Sequence, residues 1–354
     1  MGDRGGAAPR DVSPSPGLSG IRDAPVRRRL CWRGRPATGP QTVHEGITTS
    51  VDCVIVAYRS AAFLGPCLDS VAVALGVPPA GTITVVDNAS PDASAAVAEA
   101  HPARPGVIRI ERNLGFGGGC NIGAGGGHGE YLLFLNPDAR LEPGTLQALV
   151  RELEVDPSLA AVGPSIADPA GAYRAASAGF EPSLRSVLGH FLLLGRVPWL
   201  GRWFPPLQLP EGSTERRPDW VSGAAMLVRR SAFEAVAGFD ASMFLYMEDV
   251  DLCRRLRERG WGVGLVPEVA VSHALGGTQG PEQAETWARA FHAYLARLHG
   301  RVYAGSCAAL AALGLAARAV AYARSRRALS QRLARATIAL AAAALTVPPV
   351  ASTP

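Results

Sequence analysis

EYLLFLNPD, residues 130–138, sets five apolar residues in a row, Tyr131 to Leu135, with no polar alternation. That is the pattern of a strand covered on both faces. Pro137 cannot donate to a ladder and ends the strand, leaving Asn136 and Asp138 at its carboxyl end. In open α/β sheets ligands bind beyond that end, and a carboxylate placed there can hold a divalent cation against a ligand's phosphates. A plain Asn-Pro-Asp turn leaving a core strand uses the same residues. The surrounding sequence has to decide between the two.

Upstream, strands and helices alternate. VDCVIVAY from Val51 reads as a buried strand, and Ala61 to Leu75 places apolar residues at helical spacing. TITVVD follows as a second strand. The turn Asn88 to Asp92 then leads into an Ala-rich helix ending at Ala100, with Ser90 as its expected cap and Pro91 at its first position. VIRIE from Val107 is the third strand, and a glycine-rich segment, Gly115 to Gly129, runs into the stretch quoted first. Such alternation predicts a mostly parallel sheet with covered faces. The glycines fit Gly-x-Gly-x-x-Gly in several registers, but the dinucleotide fingerprint belongs after the first strand. Tyr58, Arg59 and Ser60 stand there instead, which disfavours a Rossmann dehydrogenase. Asp87 ends the second strand, where a carboxylate can accept from a ribose hydroxyl or a base N–H, or merely cap a turn.

Downstream, Pro143 to about Val155 reads as a helix and AAVGPSI as a short strand. Residues 180–218 break the pattern with Phe, Leu and Trp among arginines and prolines, which reads as a lid or membrane-facing insert. A second chemical cluster runs from Asp219 to His273. WVSGAAMLV is strand-like, Ser231 can cap a short helix to Val236, and Gly238, Phe239 and Asp240 make a tight loop. Glu248, Asp249 and Asp251 open a helix that ends near Gly260. A helix dipole favours one acid at its N-terminus; three within four residues repel one another unless a cation or a proton-accepting role compensates. His273 follows Val-Ala-Val at a strand end and is read as structural or as a ligand.

A chain of 354 residues can bury a large core. Every one of its 35 basic residues is Arg, and they are unevenly spread. Met1 to Glu45 holds eight Arg against four acids; beyond Glu285 there are nine Arg and no acid, so the middle carries 18 Arg against 26 acids. A nucleic-acid groove on the core is excluded by that balance, whereas a basic tail suits an anionic membrane surface. The six cysteines show no Cys-x-x-Cys spacing, so neither zinc nor a disulfide framework is signalled, and a reducing cytosol is the expected compartment. The first 45 residues lack an apolar signal core and read as a disordered leader. Val302 to Ala317 and Thr337 to Val350 fall short of the roughly 18 to 20 residues that span a bilayer, and are expected as interfacial helices.

VIVAY, VVDNASPD, RNLGFGGGCNIG, LFLNPD, WVSGAAMLVRRSAF, GFD and FLYMEDVDLCRRLRERG, in this order, resemble family 2 glycosyltransferases, most closely the bacterial rhamnosyltransferase-like branch acting on lipid-linked cell-wall or polysaccharide precursors. The resemblance covers about Val51 to Gly277. It implies an α/β fold, a GT-A-type nucleotide-binding α/β/α sandwich with a mostly parallel central sheet, plus a helical C-terminal tail. The implied domains are 46–277, with a nucleotide-binding half 46–140 and an acceptor half 141–277 carrying the insert 180–218, and a membrane-associating tail 278–354. Also implied is an inverting transfer, assisted by Mg2+ or Mn2+, from a nucleoside-diphosphate sugar to an acceptor hydroxyl. dTDP-rhamnose is the leading donor, with UDP- and GDP-sugars as alternatives, and a polyprenyl-linked glycan is the expected acceptor. On this resemblance Ala57, Tyr58, Asp87, Asn113, Gly115 and Asn136 face the nucleotide. Asp138 and His273 hold the metal, and Asp249, paired with Glu248, is the general base. The family's Asp-x-Asp is reduced here to Asn136-Pro137-Asp138, which leans the metal site on His273, and Arg59 stands where many relatives have Asn. A non-catalytic sugar-nucleotide-binding or scaffold protein keeping the same fold is the competing expectation.

Overall fold

Val51–Ala57 (β1) is buried along its whole length, flanked on one side by Ile83–Asn88 (β2) and Gly106–Ile110 (β3) and on the other by Tyr131–Leu135 (β4), all parallel. The computed structural model describes residues 49–76, 80–167, 174–175, 177–197, 199–210, 213–273, 281–323 and 327–345. The expected leader and Cys31 lie outside them.

The remaining strands are Ala139–Leu141 (β5), Leu159–Ala167 (β6), Arg174–Ala175 (β7), Ala178–Gly179 (β8), Trp220–Val221 (β9), Ala225–Arg229 (β10) and Gly262–His273 (β11). The main sheet runs β3-β2-β1-β4-β10-β6-β11-β5, with β7 on β6; β8 and β9 form a separate pair. β10, β5 and β7 run against the rest, so the sheet is mostly parallel.

Helices cover both faces. Ala61–Leu75 (α1) and Thr145–Val155 (α4) press Leu64, Leu68, Leu146 and Leu149 onto one face of the sheet, where Leu133 and Leu135 of β4 meet them. On the other face Leu132 and Phe134 of β4 meet Gly115–Ala124 (α3), Arg230–Ala235 (α6) and Glu248–Glu258 (α7). Both faces of β4 are therefore dry, and its one polar atom outside the backbone, Tyr131 Oη, accepts from Arg229 (3.2 Å). Ser94–Glu99 (α2) starts three residues later than the sequence predicts, with Ala93 rather than Ser90 before it. Ser90 is spent on the neighbouring loop and Asp92 bridges that loop to the helix: Ser90 Oγ accepts from Arg59 N–H (3.1 Å), Asp92 Oδ2 from Ala61 N–H (3.2 Å) and Asp92 Oδ1 from Ser94 N–H (3.2 Å).

The glycine-rich segment becomes a helix. A Cβ on Gly119 would stand 2.7 Å from the Val56 side chain, and one on Gly123 2.3 Å from that of Val54. Glycine there lets α3 lie directly on β1, a packing role rather than a phosphate cradle.

Further helices extend the second half of the chain. Leu184–Phe191 (α5) and a single 3-10 turn, Leu194–Arg196, belong to the insert. Pro281–His299 (α8), Arg301–Tyr322 (α9) and Arg327–Leu345 (α10) form the C-terminal helices. Val187 and Phe191 of α5, Phe291 and Leu295 of α8, and Cys307 and Ala311 of α9 share one apolar cluster with Phe134. Cys53, Cys67, Cys120, Cys253 and Cys307 are free and buried. Contrary to the sequence expectation, α9 is long and apolar enough to cross a bilayer, by length and composition, over Arg301–Ala321. Its arginines sit only in the end turns, so they do not shorten the run; 44% of it is buried against the protein, and a buried core helix meets the same criterion.

At the amino ends of the strands, Asp52 is 4% exposed. It accepts from Thr82 Oγ1 (2.6 Å), Gly129 N–H (2.6 Å) and Arg230 (2.6 Å). Burial works to raise its acidity range, but the donors from Thr82, Gly129 and Arg230 override it and hold the carboxyl below the usual value. Arg230 also donates to the Ala124 and Gly129 carbonyls. Arg230→Met leaves this carboxylate buried without its cation, and chemical denaturation is expected to register a loss of about 3–5 kcal/mol; a change under 1 kcal/mol, on the scale of exposed pairs, would contradict it.

Candidate functional site

The site begins where β4 stops. Asn136 N–H donates to the Ala224 carbonyl (2.9 Å), extending the β4–β10 ladder by one bond into the turn Ser222-Gly223-Ala224 between β9 and β10. Two residues on, Asp138 Oδ1 lies 3.0 Å from His273 Nε2, which is also 3.1 Å from Asn136 Nδ2. His273 is brought there as the last residue of β11, paired with Ala139 of β5. It is buried, and its Nδ1 has no partner.

From the same turn, Gly223 N–H donates to Asp249 Oδ2 (3.0 Å), while Val250 N–H donates to Oδ1 (2.8 Å). A Cβ on Gly223 would sit 2.9 Å from the Phe116 ring, so glycine here lets the turn lie against that ring, with Asp249 Cβ in ordinary contact at 3.6 Å. Asp138, His273 and Asp249 therefore meet one short segment, Asn136 on one side and Ser222-Gly223-Ala224 on the other. The sequence reading missed Gly223 because WVSGAAMLV looks like one strand; its Ser-Gly pair marks a break.

The three acids of α7 separate in role. Asp251 is fully buried and turned to Arg254 (2.9 Å), Arg255 (2.6 Å) and Arg297 of α8 (2.8 Å), so it is neutralised and ties two helices together. Glu248 has no such partner: its Oε2 is buried and unsatisfied. Burial and then the Asp249 charge push its carboxyl up to about 8. Burial also raises Asp249, against which the Gly223 and Val250 amides work. Both carboxyls are therefore shifted upward, Glu248 further into the neutral range and Asp249 against the pull of two amide donors. Tyr246 and Met247, immediately before α7, both have positive φ (70° and 69°), a conformation costing about 1–3 kcal/mol each for such side chains.

The residues expected to face the nucleotide lie at or near the neighbouring strand ends. Ala57 pairs with Asp87 across β1 and β2. Tyr58 is 39% exposed with the Arg59 guanidinium 5.4 Å over its ring. Asp87 is 7% exposed, and its Oδ1 has no partner. Asn88 donates to the Gly115 carbonyl and accepts from Leu114 N–H (both 2.9 Å), and Asn113 Oδ1 accepts from Gly115 N–H (2.9 Å). Gly115 has φ +77°, and a Cβ on it would lie 2.0 Å from the Phe244 carbonyl oxygen. Asn113 is thus used to shape the loop, and Gly115 to admit the segment leading to α7. A hollow of about 620 Å3 at the other ends of β2 and β3, near Thr82, Arg104 and Gly106, is lined by no acid and lies apart from this chemistry.

Among the described residues no three His, Cys, Asp or Glu side chains converge as a self-sufficient metal site. Asp138 and His273 nevertheless fit a shared cation. Two ligands at about 2.1 Å on adjacent octahedral positions stand about 3.0 Å apart, and Mg2+ and Mn2+ commonly take few protein ligands and fill the rest with substrate phosphates.

A mostly parallel α/β/α sandwich carrying its acids at the carboxyl strand ends is a GT-A fold. The mannosyltransferase PcManGT from Pyrobaculum calidifontis, solved in complex with GDP-Man and Mn2+, superposes with a TM-score of 0.53 at 17% identity, covering 84% of this chain and 86% of that one. The model of the glycosyl transferase family 2 matches residues 52–235, and the chain belongs to that family. An N-acetylglucosaminyl-diphospho-decaprenol L-rhamnosyltransferase of Mycobacterium tuberculosis is 35% identical over 208 residues, 54% of this chain and 66% of that protein. Rhamnosyltransferase WbbL of Escherichia coli (strain K12) is 30% identical over 146 residues, 41% and 52% of the two chains. The matches thus span from half to just under two thirds of these relatives' own lengths.

Glu248 supplies a test of this electrostatic picture. Its folded-state value is raised from 4.5 to about 8, so its contribution to stability is full below the unfolded value and is lost as the pH climbs towards the folded one. Glu248→Gln keeps the shape without the titration. The Tm advantage of the variant over the native chain should widen steadily between about pH 5 and pH 8; a constant difference across that window would contradict a buried protonated Glu248.

Proposed function

We propose that the protein is an inverting, metal-dependent glycosyltransferase that moves a sugar, rhamnose first, from a nucleoside diphosphate to a hydroxyl of a polyprenyl-linked glycan. The observation that carries it is the single turn Ser222-Gly223-Ala224, which bonds Asn136 of the Asp138–His273 corner on one side and Asp249 on the other. A cation-holding acid and a proton-accepting acid on either side of one short segment suit an in-line displacement. The rhamnosyl donor and the lipid-linked acceptor are supported by the names of the relatives, and dTDP-rhamnose is the leading donor.

In this reading Asp138 and His273 hold Mg2+ or Mn2+, with Asn136 beside them. When bound, the metal supplies Lewis-acid neutralisation of the diphosphate charge. The open oxygen of Asp87 accepts from the donor's base or ribose, Tyr58 offers its exposed ring, and Ala57, Asn113 and Gly115 shape the wall around the nucleotide. Asp249 takes the proton of the acceptor hydroxyl as its oxygen bonds the anomeric carbon; the bond from that carbon to the phosphate oxygen breaks, and its electrons leave with the nucleoside diphosphate. Because attack comes opposite the leaving group, configuration inverts in one step. Glu248, protonated at neutrality by its upward shift, keeps a second negative charge away from Asp249. The buried free thiols suit a cytoplasmic location, and the acid-free stretch beyond Glu285 suits peripheral contact with the inner face of the plasma membrane.

Asp249→Asn removes the proton acceptor and keeps one of its two amide contacts, since the new side-chain NH2 cannot accept from the Gly223 or Val250 N–H. Metal-dependent release of nucleoside diphosphate is expected to fall about 10²- to 10⁴-fold in a chain that still unfolds cooperatively. Equal background in both proteins would favour the scaffold reading, whose support is the reduced Asn136-Pro137-Asp138 motif. Asp138→Asn separates binding from turnover. The native chain, with Mn2+ and donor at a hundred times its Kd, gains about 2.7 kcal/mol of stability; the variant should lose the Mn2+-dependent part, and an undiminished gain would remove Asp138 from the metal site.

A further inference from the structure

The insert leaves two indoles in water. Trp199 is 69% exposed and Trp203 54%, and Leu192 and Leu193 just before them are also exposed. Single exposed apolar residues are ordinary, but two Trp and two Leu within twelve residues form a patch that calls for a partner.

This loop is built rather than loose. Leu200 and Gly201 N–H both donate to the Val197 carbonyl (2.9 Å each), and Trp203 and Phe204 N–H donate to that of Leu200 (2.8 and 3.0 Å). Gly189, Gly195 and Gly201 pack so tightly that a Cβ on any of them would stand within 2.9 Å of a backbone oxygen of Phe204, Phe204 or Gly195 respectively. The base of the loop is fixed to α9. Leu184 N–H donates to Tyr303 Oη (2.7 Å), Arg318 donates to the His190 carbonyl and lies 5.9 Å over the Phe191 ring, and a Cβ on Gly314 would be 2.5 Å from the Phe191 oxygen. A scaffold held this firmly could have turned its Trp side chains inward; it displays them.

The charge around the patch has one sign. Between Glu181 and Glu211 the chain holds Arg185, Arg196 and Arg202 and no acid. Arg185 and Arg202 are exposed, with the Arg202 guanidinium 5.6 Å over the Trp203 ring. α9, on which the loop sits, belongs to the acid-free stretch beyond Glu285. Indoles prefer the headgroup level of a bilayer, and arginines beside them are drawn to anionic lipid. An acidic protein partner would meet the arginines as well, but it would not favour two separately exposed indoles accompanied by exposed leucines.

We propose that the loop Leu192–Trp203 is the membrane-inserting element of this protein, with Trp199 and Trp203 entering the interface of an anionic bilayer and Arg185 and Arg202 meeting its headgroups. The loop, rather than the exposed side of α9 at Val302, Leu313 and Val320, makes the contact. This rests on the membrane location proposed above and names its contact surface.

The test is co-sedimentation of the full chain with sucrose-loaded vesicles of phosphatidylcholine alone or with phosphatidylglycerol, comparing the native protein, W199S/W203S and L313S/V320S. The native chain is expected to bind only the anionic vesicles. W199S/W203S should need about tenfold more lipid for half binding, and L313S/V320S should bind like the native chain. Lipids brominated near the headgroup should quench native Trp fluorescence more than that of W199S/W203S. Unchanged Tm and donor turnover in both variants establish that the fold and the catalytic centre are intact. If the native chain binds and W199S/W203S binds equally well, or if L313S/V320S is the variant that fails, the loop is not the contact, although the membrane location stands. If the native chain ignores both kinds of vesicle, the location fails and the inference with it.

Discussion

The antiparallel strand β10, wedged between β4 and β6, is the constraint on which the rest of this structure depends. A purely parallel sheet would place the next strand beside β4 with its carboxyl end level with Asn136. β10 runs the other way, so its beginning, and the turn before it, arrive there instead. Backbone donors are then available where a parallel neighbour would present side chains. Asn136 N–H is satisfied by Ala224, and Gly223 N–H is left to hold Asp249. The apolar cost of burying β4 on both faces is met by Leu133 and Leu135 on one side and Phe134 on the other, so the strand end is rigid before any ligand arrives.

Electrostatics then divide the molecule. Where charge is structural, it is matched: Asp52 is surrounded by donors and Arg230, and Asp251 faces three arginines. At the candidate site it is left partly unmatched. Of the six buried side-chain atoms without a hydrogen-bond partner among the described residues, three belong to Glu248, Asp87 and His273, near the carboxyl ends of the strands. Four of the seven described non-glycine residues with positive φ, Arg59, Ala89, Tyr246 and Met247, are in the loops there as well. Unmatched polar atoms and strained turns cost stability, and a fold tolerates them where a ligand supplies the missing partners.

The C-terminal helices complete a second function of shape. α8 buries Phe291 and Leu295 in the core that also holds Phe134, and its Arg297 reaches Asp251 at the start of α7. The stretch without acids is therefore joined mechanically to the helix that carries Asp249. α9 in turn supports α5 and the Trp-bearing loop, so the apolar patch of the insert and the basic C-terminus form one structural assembly.

The sequence by itself determined the alternation of strands and helices, the dry character of β4, the terminating role of Pro137 and the positions of Asp138, Asp249 and His273 at element ends. Each of these follows from local chemistry: hydrophobic period, the missing proline N–H, acids at a helix start. What it could not decide was which acid of Glu248, Asp249 and Asp251 was free, because that depends on Arg297, far along the chain, reaching Asp251. It misplaced the start of α2, since Ser90 bonds across to the β1–α1 loop rather than capping the helix, and Asp92 ties that loop to the Ser94 N–H. The break at Ser222-Gly223-Ala224 was also hidden, because a glycine against the Phe116 ring is required only once α3 is packed. Only the tertiary structure brought the residues 136–138 and 249 to one turn, because strand order and direction are set by the packing of distant apolar faces.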